Sequence, residues 1–402
     1  MTRPSPAATA RSGSAGEVFA VFLGLGLTSF GGPVAHLGYF RDAFVVRRRW
    51  LTEHAYADLV ALCQFLPGPA SSQVGMAIGL QRAGLRGMAA AWVAFTLPSA
   101  VALVAFGYAL SALDGQTAWI GGLKAAAVAV VAHAVVGMAR TLTPDLPRIV
   151  LAAAATAGAL ALSGAGGQVL VIAAAGIVGV LVLRGTPSTE ADGEGVHVPV
   201  GRRTAVGCLV AFAVGLVALP ALAAATASAG LDLADAFYRA GALVFGGGHV
   251  VLPLLESGTV QTGLVDREAF LAGYGAAQAV PGPLFTFAAF LGSVAQSGPT
   301  GVLGATIALV AIFLPAALLV LGALPFWERL RRAPRARRAL QGVNAGVVGL
   351  LAAALWTPVI EQGITSPPTL GIAVVAFGAL LTGRVPAWAV VIVAGGVGAL
   401  AL

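Results

Sequence analysis

The sequence predicts an all-α polytopic membrane protein: an inverted-topology duplicated repeat with broken or re-entrant helix pairs in each half. Three observations predict it. Of 402 residues, 58% are apolar and 10% charged, with a mean hydropathy of +0.91, so most of the chain cannot solvate a water-facing surface. The same landmarks occur twice in the same order, and a single extra apolar segment lies between the two copies.

The duplication is read by laying Phe30-Gly31-Gly32-Pro33 over Phe245-Gly246-Gly247-Gly248. Gln64-x-x-Pro67-Gly68-Pro69 then falls over Gln278-x-x-Pro281-Gly282-Pro283 almost without a gap. Gly84-x-x-Gly87 matches Gly298-x-x-Gly301, Leu97-Pro98-Ser99-Ala100 matches Leu314-Pro315-Ala316-Ala317, and Gly122-Leu123-Lys124 matches Gly342-Val343-Asn344.

Residues 1–16 form a polar N-terminal tail without a cleavage pattern, so no removable leader is expected. The first repeat covers 17–183. It opens with two interrupted pairs, 17–44 broken at Gly31-Gly32-Pro33 and 53–81 broken at Pro67-Gly68-Pro69, followed by spans at 88–110, 117–139, 149–163 and 167–183. A polar linker, 184–203, and an inverting apolar span, 204–226, lead to the second repeat, 227–402. Its pairs lie at 234–257 and 266–296, and its spans at 300–323, 339–359, 369–382 and 386–402. The halves of each pair, about 12 to 15 residues, are short for full crossings, which favours re-entrant or broken helices; pairs that cross fully give the same parity.

The odd extra span turns the second copy upside down, and the charges agree. One side collects Arg47-Arg48-Arg49, Arg82, Arg86, Arg140, Arg148, Arg184, Arg202, Arg203 and the run Arg329 to Arg338. The other collects Asp114, Asp232, Asp235, Glu256, Asp266, Glu268 and Glu361, with Arg239 and Arg267 as exceptions. The positive-inside rule makes the first side cytoplasmic and the location the cytoplasmic membrane, with the lipid bilayer as solvent. The formal charge of +7 is thus topology information and not a nucleic-acid surface. Cys63 and Cys208 have no metal-like spacing and read as packing residues.

Chemistry is expected at the breaks. Proline ends one helix and suits the start of the next, whose free amides and positive dipole end receive an anion. Two such breaks in an inverted repeat can converge on one site, although simple kinks would leave the same trace. Gly31, Gly32, Gly246 and Gly247 permit positive φ and close backbone approach to a ligand, or else close helix packing. His36 and His249 follow these breaks and could donate hydrogen bonds or carry a coupling proton. Gln64, Gln73 and Gln278 accompany the Pro-Gly-Pro turns. Lys124, the single lysine, lies inside an apolar segment, where a charge is costly unless it meets a cavity or partner; Asn344 is its uncharged match. Arg47, Arg48 and Arg49 either gather anions at the cytoplasmic mouth or anchor the topology. No phosphate loop, zinc-ligand spacing or nucleophile elbow occurs, so neither an enzyme nor a cofactor is expected.

These motifs resemble the chromate ion transporter family in its long, two-domain form. Phe30 to His36, Arg48-Arg49-Trp50-Leu51 and Gln64 to Pro69 with Gln73 look like the first-half motifs. Phe245 to Pro253 and Ala277 to Phe285 look like those of the second half, with Leu264 where the family often has tryptophan. The resemblance implies a secondary carrier exporting chromate and conferring resistance, with sulfate as a close analogue. Sulfate or other oxyanion uptake, or an anion channel, are the alternatives. The expected mechanism has two halves rocking around an oxyanion held by Pro67, Gly68, Pro69, Pro281, Gly282, Pro283, the glutamines and Lys124. A homodimer is among the expected assemblies.

Overall fold

The computed structural model describes residues 13–30, 32–112, 118–162, 164–183, 200–245, 250–327 and 333–402. Gly31, Gly246, Gly247, Gly248 and His249 lie outside the described residues, as does most of the linker after Leu183.

Within these bounds the elements are helical. In the first copy, α1 (Ala15–Thr28) and α2 (Gly32–Arg41) flank the Gly-Gly break, and α3 (Glu53–Phe65) and α4 (Ala70–Ala112) flank Pro-Gly-Pro. They are followed by α5 (Ala118–Leu142), α6 (Leu146–Ala161) and α7 (Gly164–Val182); α8 (Arg202–Thr226) is the extra span. The second copy comprises α9 (Ala229–Leu243), α10 (Val251–Leu255), α11 (Arg267–Ala279), α12 (Phe287–Ser293), α13 (Gly301–Ala323), α14 (Pro334–Ala354), α15 (Pro367–Leu381) and α16 (Ala387–Ala401). Side-chain caps start several helices at their polar ends: Ser14 accepts from Glu17 N, Thr52 from Ala55 N, Asp266 from Glu268 N and Ala269 N. Among the described residues, five helices are long and apolar enough to cross a membrane.

The sequence places a boundary between 81 and 88, and the chain turns there inside α4. Ala83 and Gly84 leave helical geometry, Gly84 with φ +63°, and the two arms fold together so that Gly79 and Gly87 meet backbone to backbone. Gly292 of α12 and Gly304 of α13 repeat this contact in the second copy. Only glycine lets two helix backbones approach so closely.

The ends of the interrupted pairs fix the topology. Arg82, at the end of α4's first arm, pairs with Glu17 at the start of α1 at 3.1 Å, and its guanidinium stacks 4.8 Å from the Trp50 ring centroid. Both first-copy pairs therefore begin and end on one face, the re-entrant arrangement. From there α4's second arm runs about 35 Å to Tyr108, whose hydroxyl faces Gly301. Beside it, Gly298 packs against Ala229, and Gln296 N donates to Leu264 O at 2.9 Å. The second-copy pairs thus begin and end on the opposite face, and the repeat is inverted. The first face carries Arg49, Arg82 and Arg86 and is here called basic. The second carries Asp232, Asp266 and Glu268 and is called acidic.

The two copies are interleaved. Gly122 of α5 lies against Gly398 of α16, and Gly342 of α14 lies against Gly179 of α7, with an added Cβ meeting the facing Cα at 3.0 and 2.7 Å respectively. Each copy's last two helices therefore pack on α5 or its equivalent α14 in the other copy. Two halves cut at the linker cannot rock as separate rigid bodies without breaking these interfaces. That revises the expectation of rocking halves.

Candidate functional site

Each Pro-Gly-Pro break meets, in the other copy, the carbonyl that precedes the glycine break. Gly68 N donates to Val244 O at 2.7 Å, the carbonyl just before Phe245-Gly246-Gly247. Gly282 N donates to Ser29 O at 2.9 Å, the carbonyl just before Phe30-Gly31-Gly32. Ser29 and Val244 are equivalent positions, as are Gly68 and Gly282, so the contact is one motif used twice. Gly68 and Gly282 hold φ of +122° and +98°, where side chains are strained. A Cβ on Gly68 would lie 3.3 Å from Ala316 Cβ, and one on Gly282 would lie 2.8 Å from Ser99 Oγ. Ala316 and Ser99 are again equivalents, each in the other copy.

Around this crossing the polar groups are unequally shared. His36 is fully buried, with Nε2 3.1 Å from Ser29 O and Nδ1 3.3 Å from Ser71 Oγ. A carbonyl only accepts, so Nε2 carries the proton and Nδ1 accepts from the Ser71 hydroxyl. Gln73, also fully buried, donates Nε2 to Pro67 O at 2.8 Å. Ser99 Oγ donates to Thr96 O at 3.1 Å. The second copy puts Val251, Phe285, Phe287, Phe313 and Ala316 where the first has His36, Ser71, Gln73, Thr96 and Ser99. The first copy supplies most of the polar side chains, and the second adds Gln278 and Thr286, which donates to Pro283 O at 2.7 Å.

Of the sequence-predicted residues, Gly32, His36, Pro67, Gly68, Pro69, Gln73, Pro281, Gly282 and Pro283 gather here; Gly32 has φ +79°. Gln278, one turn before Pro281, has a buried Nε2 without a hydrogen-bond partner among the described residues. Its match Gln64 is exposed. Lys124 lies apart, in a cavity of about 890 Å³ at the acidic face lined by Trp119, Glu268, Thr365, Ser366 and Thr369. Its ammonium is 3.7 Å from Glu268 Oε1, and Glu268 is ten residues, about 15 Å, before Gln278 on α11. Asn344 occupies the matching place toward the basic face, because the repeat is inverted; its Oδ1 is buried and has no hydrogen-bond partner among the described residues. Arg47, Arg48 and Arg49 are exposed at the basic face, Arg47 paired with Asp42 at 2.7 Å.

Sequence reasoning missed Ser29, Ser72, Thr96 and Ser99. Their signal was available in the repeat itself, as positions polar in one copy and mostly apolar in the other. It also read Arg239 only as an exception to the charge rule. Arg239 pairs with Asp235 inside a cavity of about 550 Å³ that runs from Asp232 and Ser297 inward to Leu243, next to the Val244 carbonyl. It is a cavity residue, and loop charge counting does not apply to it.

The profile of the chromate transporter family matches residues 16–180 and 231–399, one match on each copy. The chain is 29% identical over 366 residues to a probable chromate transport protein of Synechococcus elongatus, covering 88% of this chain and 87% of the relative. It is 32% identical to a chromate transport protein of Pseudomonas aeruginosa over 84% of this chain and 79% of the relative. For a chromate transport protein of Cupriavidus metallidurans the identity is 27% over 95% and 93%. No solved structure matches the chain. With both copies matched and near full-length relatives of the same kind, the chain belongs to the chromate transporter family.

Proposed function

We propose that this protein is a secondary transporter that exports chromate across the cytoplasmic membrane, from the basic to the acidic face, and so confers chromate resistance. The observation that carries the reading is the reciprocal crossing of helix breaks, Gly68 on Val244 and Gly282 on Ser29, in a chain of the chromate transporter family. Breaks of this kind expose helix ends and backbone amides inside the membrane, where they suit an anion. The substrate contacts proposed are the Gly31-Gly32 and Gly246-Gly247 breaks, both Pro-Gly-Pro turns, Gln73 and Gln278, with His36 fixing the Ser29 and Ser71 positions. His249 lies beside the second break in sequence and belongs to the same proposal.

The excess of arginine on the basic face supports a cytoplasmic placement of that face. A dianion leaving a cell that is negative inside gains about 4.6 kcal/mol per 100 mV, so export can run on membrane potential. Because the two copies interleave, the moving unit in this reading is the set of re-entrant pairs against the α5, α14 and flanking-helix frame. Labelled chromate in membrane vesicles of known orientation tests the reading, with unlabelled sulfate as competitor. Export predicts accumulation in inside-out vesicles. Accumulation only in right-side-out vesicles, with sulfate the better competitor, would assign oxyanion uptake instead.

A further inference from the structure

Three hydroxyls at the crossing are anomalous. Ser29, Ser72 and Thr96 are exposed by only 0%, 3% and 2%, and their hydroxyl oxygens have no hydrogen-bond partner among the described residues. Hydroxyls elsewhere in this protein satisfy themselves locally: Thr143, Thr156 and Thr259 each donate to the carbonyl four residues back. An unpartnered hydroxyl in an apolar interior costs about 1–3 kcal/mol, and a bilayer offers no bulk water to relieve it. Gln278 Nε2 is in the same condition.

These four groups come from four places in the chain, each on a segment that takes part in the crossing. Ser29 is the residue whose carbonyl receives both Gly282 N and His36 Nε2. Ser72 follows Ser71, which binds the other face of the same imidazole, and lies in the first turn of α4 after Pro69. Thr96 follows Phe95, whose carbonyl would lie 3.2 Å from a Cβ on Gly282. Gln278 is one turn before the Pro281 break.

We infer that Ser29, Ser72, Thr96 and Gln278 form the donor set that receives the oxygens of a tetrahedral oxyanion. The inference rests on the transport reading and names the contacts within it. The set has no formal charge, so the ligand is held by hydrogen bonds alone, and its grip depends on the number of acceptor oxygens it presents. That chemistry suits chromate and sulfate and disfavours chloride. A neutral site also lets a dianion leave again, which a carrier requires of its binding step.

The test is equilibrium binding of radiolabelled chromate to the full chain purified in detergent, with sulfate and chloride as competitors, alongside thermal unfolding without ligand. Ser29→Ala, Ser72→Ala and Thr96→Val are each expected to weaken binding about tenfold, and Thr96→Ser to restore it. Their ligand-free unfolding midpoints are expected to stay level or rise, because an unpartnered buried hydroxyl has been removed. Unchanged binding in all three variants overturns the donor assignment and leaves the transport reading intact. Midpoints that fall together with binding also overturn it, by making the hydroxyls structural. A parent protein that binds neither chromate nor sulfate removes the transport reading and this assignment with it.

Discussion

The amide of Gly68 meets the carbonyl of Val244 at 2.7 Å across the boundary between the two copies, and Gly282 meets Ser29 in the same way at 2.9 Å. Each Pro-Gly-Pro turn is thus completed by the other copy. Neither copy makes this contact alone, which supports the proposal of one site built by both copies.

Glycine at these turns is required by conformation. Gly68→Ala and Gly282→Ala place a Cβ at φ of +122° and +98° and 2.8 Å from Gln73 Nε2 and Ser99 Oγ. Each is expected to cost about 1–3 kcal/mol, seen as a lower unfolding midpoint, and to abolish transport. Gly24→Ala, in α1 with open space around it, is the control and is expected to stabilise by about 0.5–1 kcal/mol.

The re-entrant topology predicts a labelling pattern. In a background with Cys63 and Cys208 replaced by alanine, single cysteines at Gly16, Arg48 and Arg86 should react with an impermeant maleimide from one face. Cysteines at Thr262 and Ser297 should react from the opposite face. Labelling of positions 48 and 86 from different faces would mean that the Pro67-Gly68-Pro69 pair crosses fully.

At the basic face Arg82 ties the start of α1 to the end of α4's first arm. Its guanidinium contacts both carboxylate oxygens of Glu17 at 3.1 Å and covers Trp50. A double-mutant cycle with Glu17→Gln and Arg82→Gln is expected to return a coupling of about 0.5–1 kcal/mol in unfolding measurements. Zero coupling would show that the pair does not join the two interrupted pairs.

Much of the fold is legible in the sequence, and for a physical reason. Proline and glycine state backbone geometry directly, so Pro67-Gly68-Pro69, Pro281-Gly282-Pro283 and the Gly84 and Gly298 turns can be placed from residue identity alone. The inversion follows from counting α8. Partnership is what residue identity leaves open. Alignment puts Gly68 over Gly282 but is silent on which carbonyl each amide finds, and the interleaving through Gly122 and Gly342 is a long-range packing choice. Lys124 shows the same limit. Its cost inside an apolar segment announces a cavity or a partner, and Glu268 supplies one, yet the cavity lies at the acidic face and not at the breaks.

That placement supports the proposal that Lys124 acts at the acidic-face mouth of the pathway. Lys124→Met is expected to raise the KM for oxyanion presented at the acidic face about tenfold with little change in kcat, since the cavity loses its cation. Glu268→Gln is expected to leave KM level or lower it. A loss of kcat at constant KM in Lys124→Met would instead tie the ammonium to the translocation step.

The central claim is that the crossed breaks carry chromate outward. Purified protein in liposomes, inserted with its basic face on a known side and with potential and pH gradient set independently, tests this most directly. The account predicts that labelled chromate moves from the basic to the acidic face, unreduced, at a rate that rises with the potential and is lost in Gly68→Ala. Chromate that does not cross, or that crosses at the parental rate in Gly68→Ala, would contradict it.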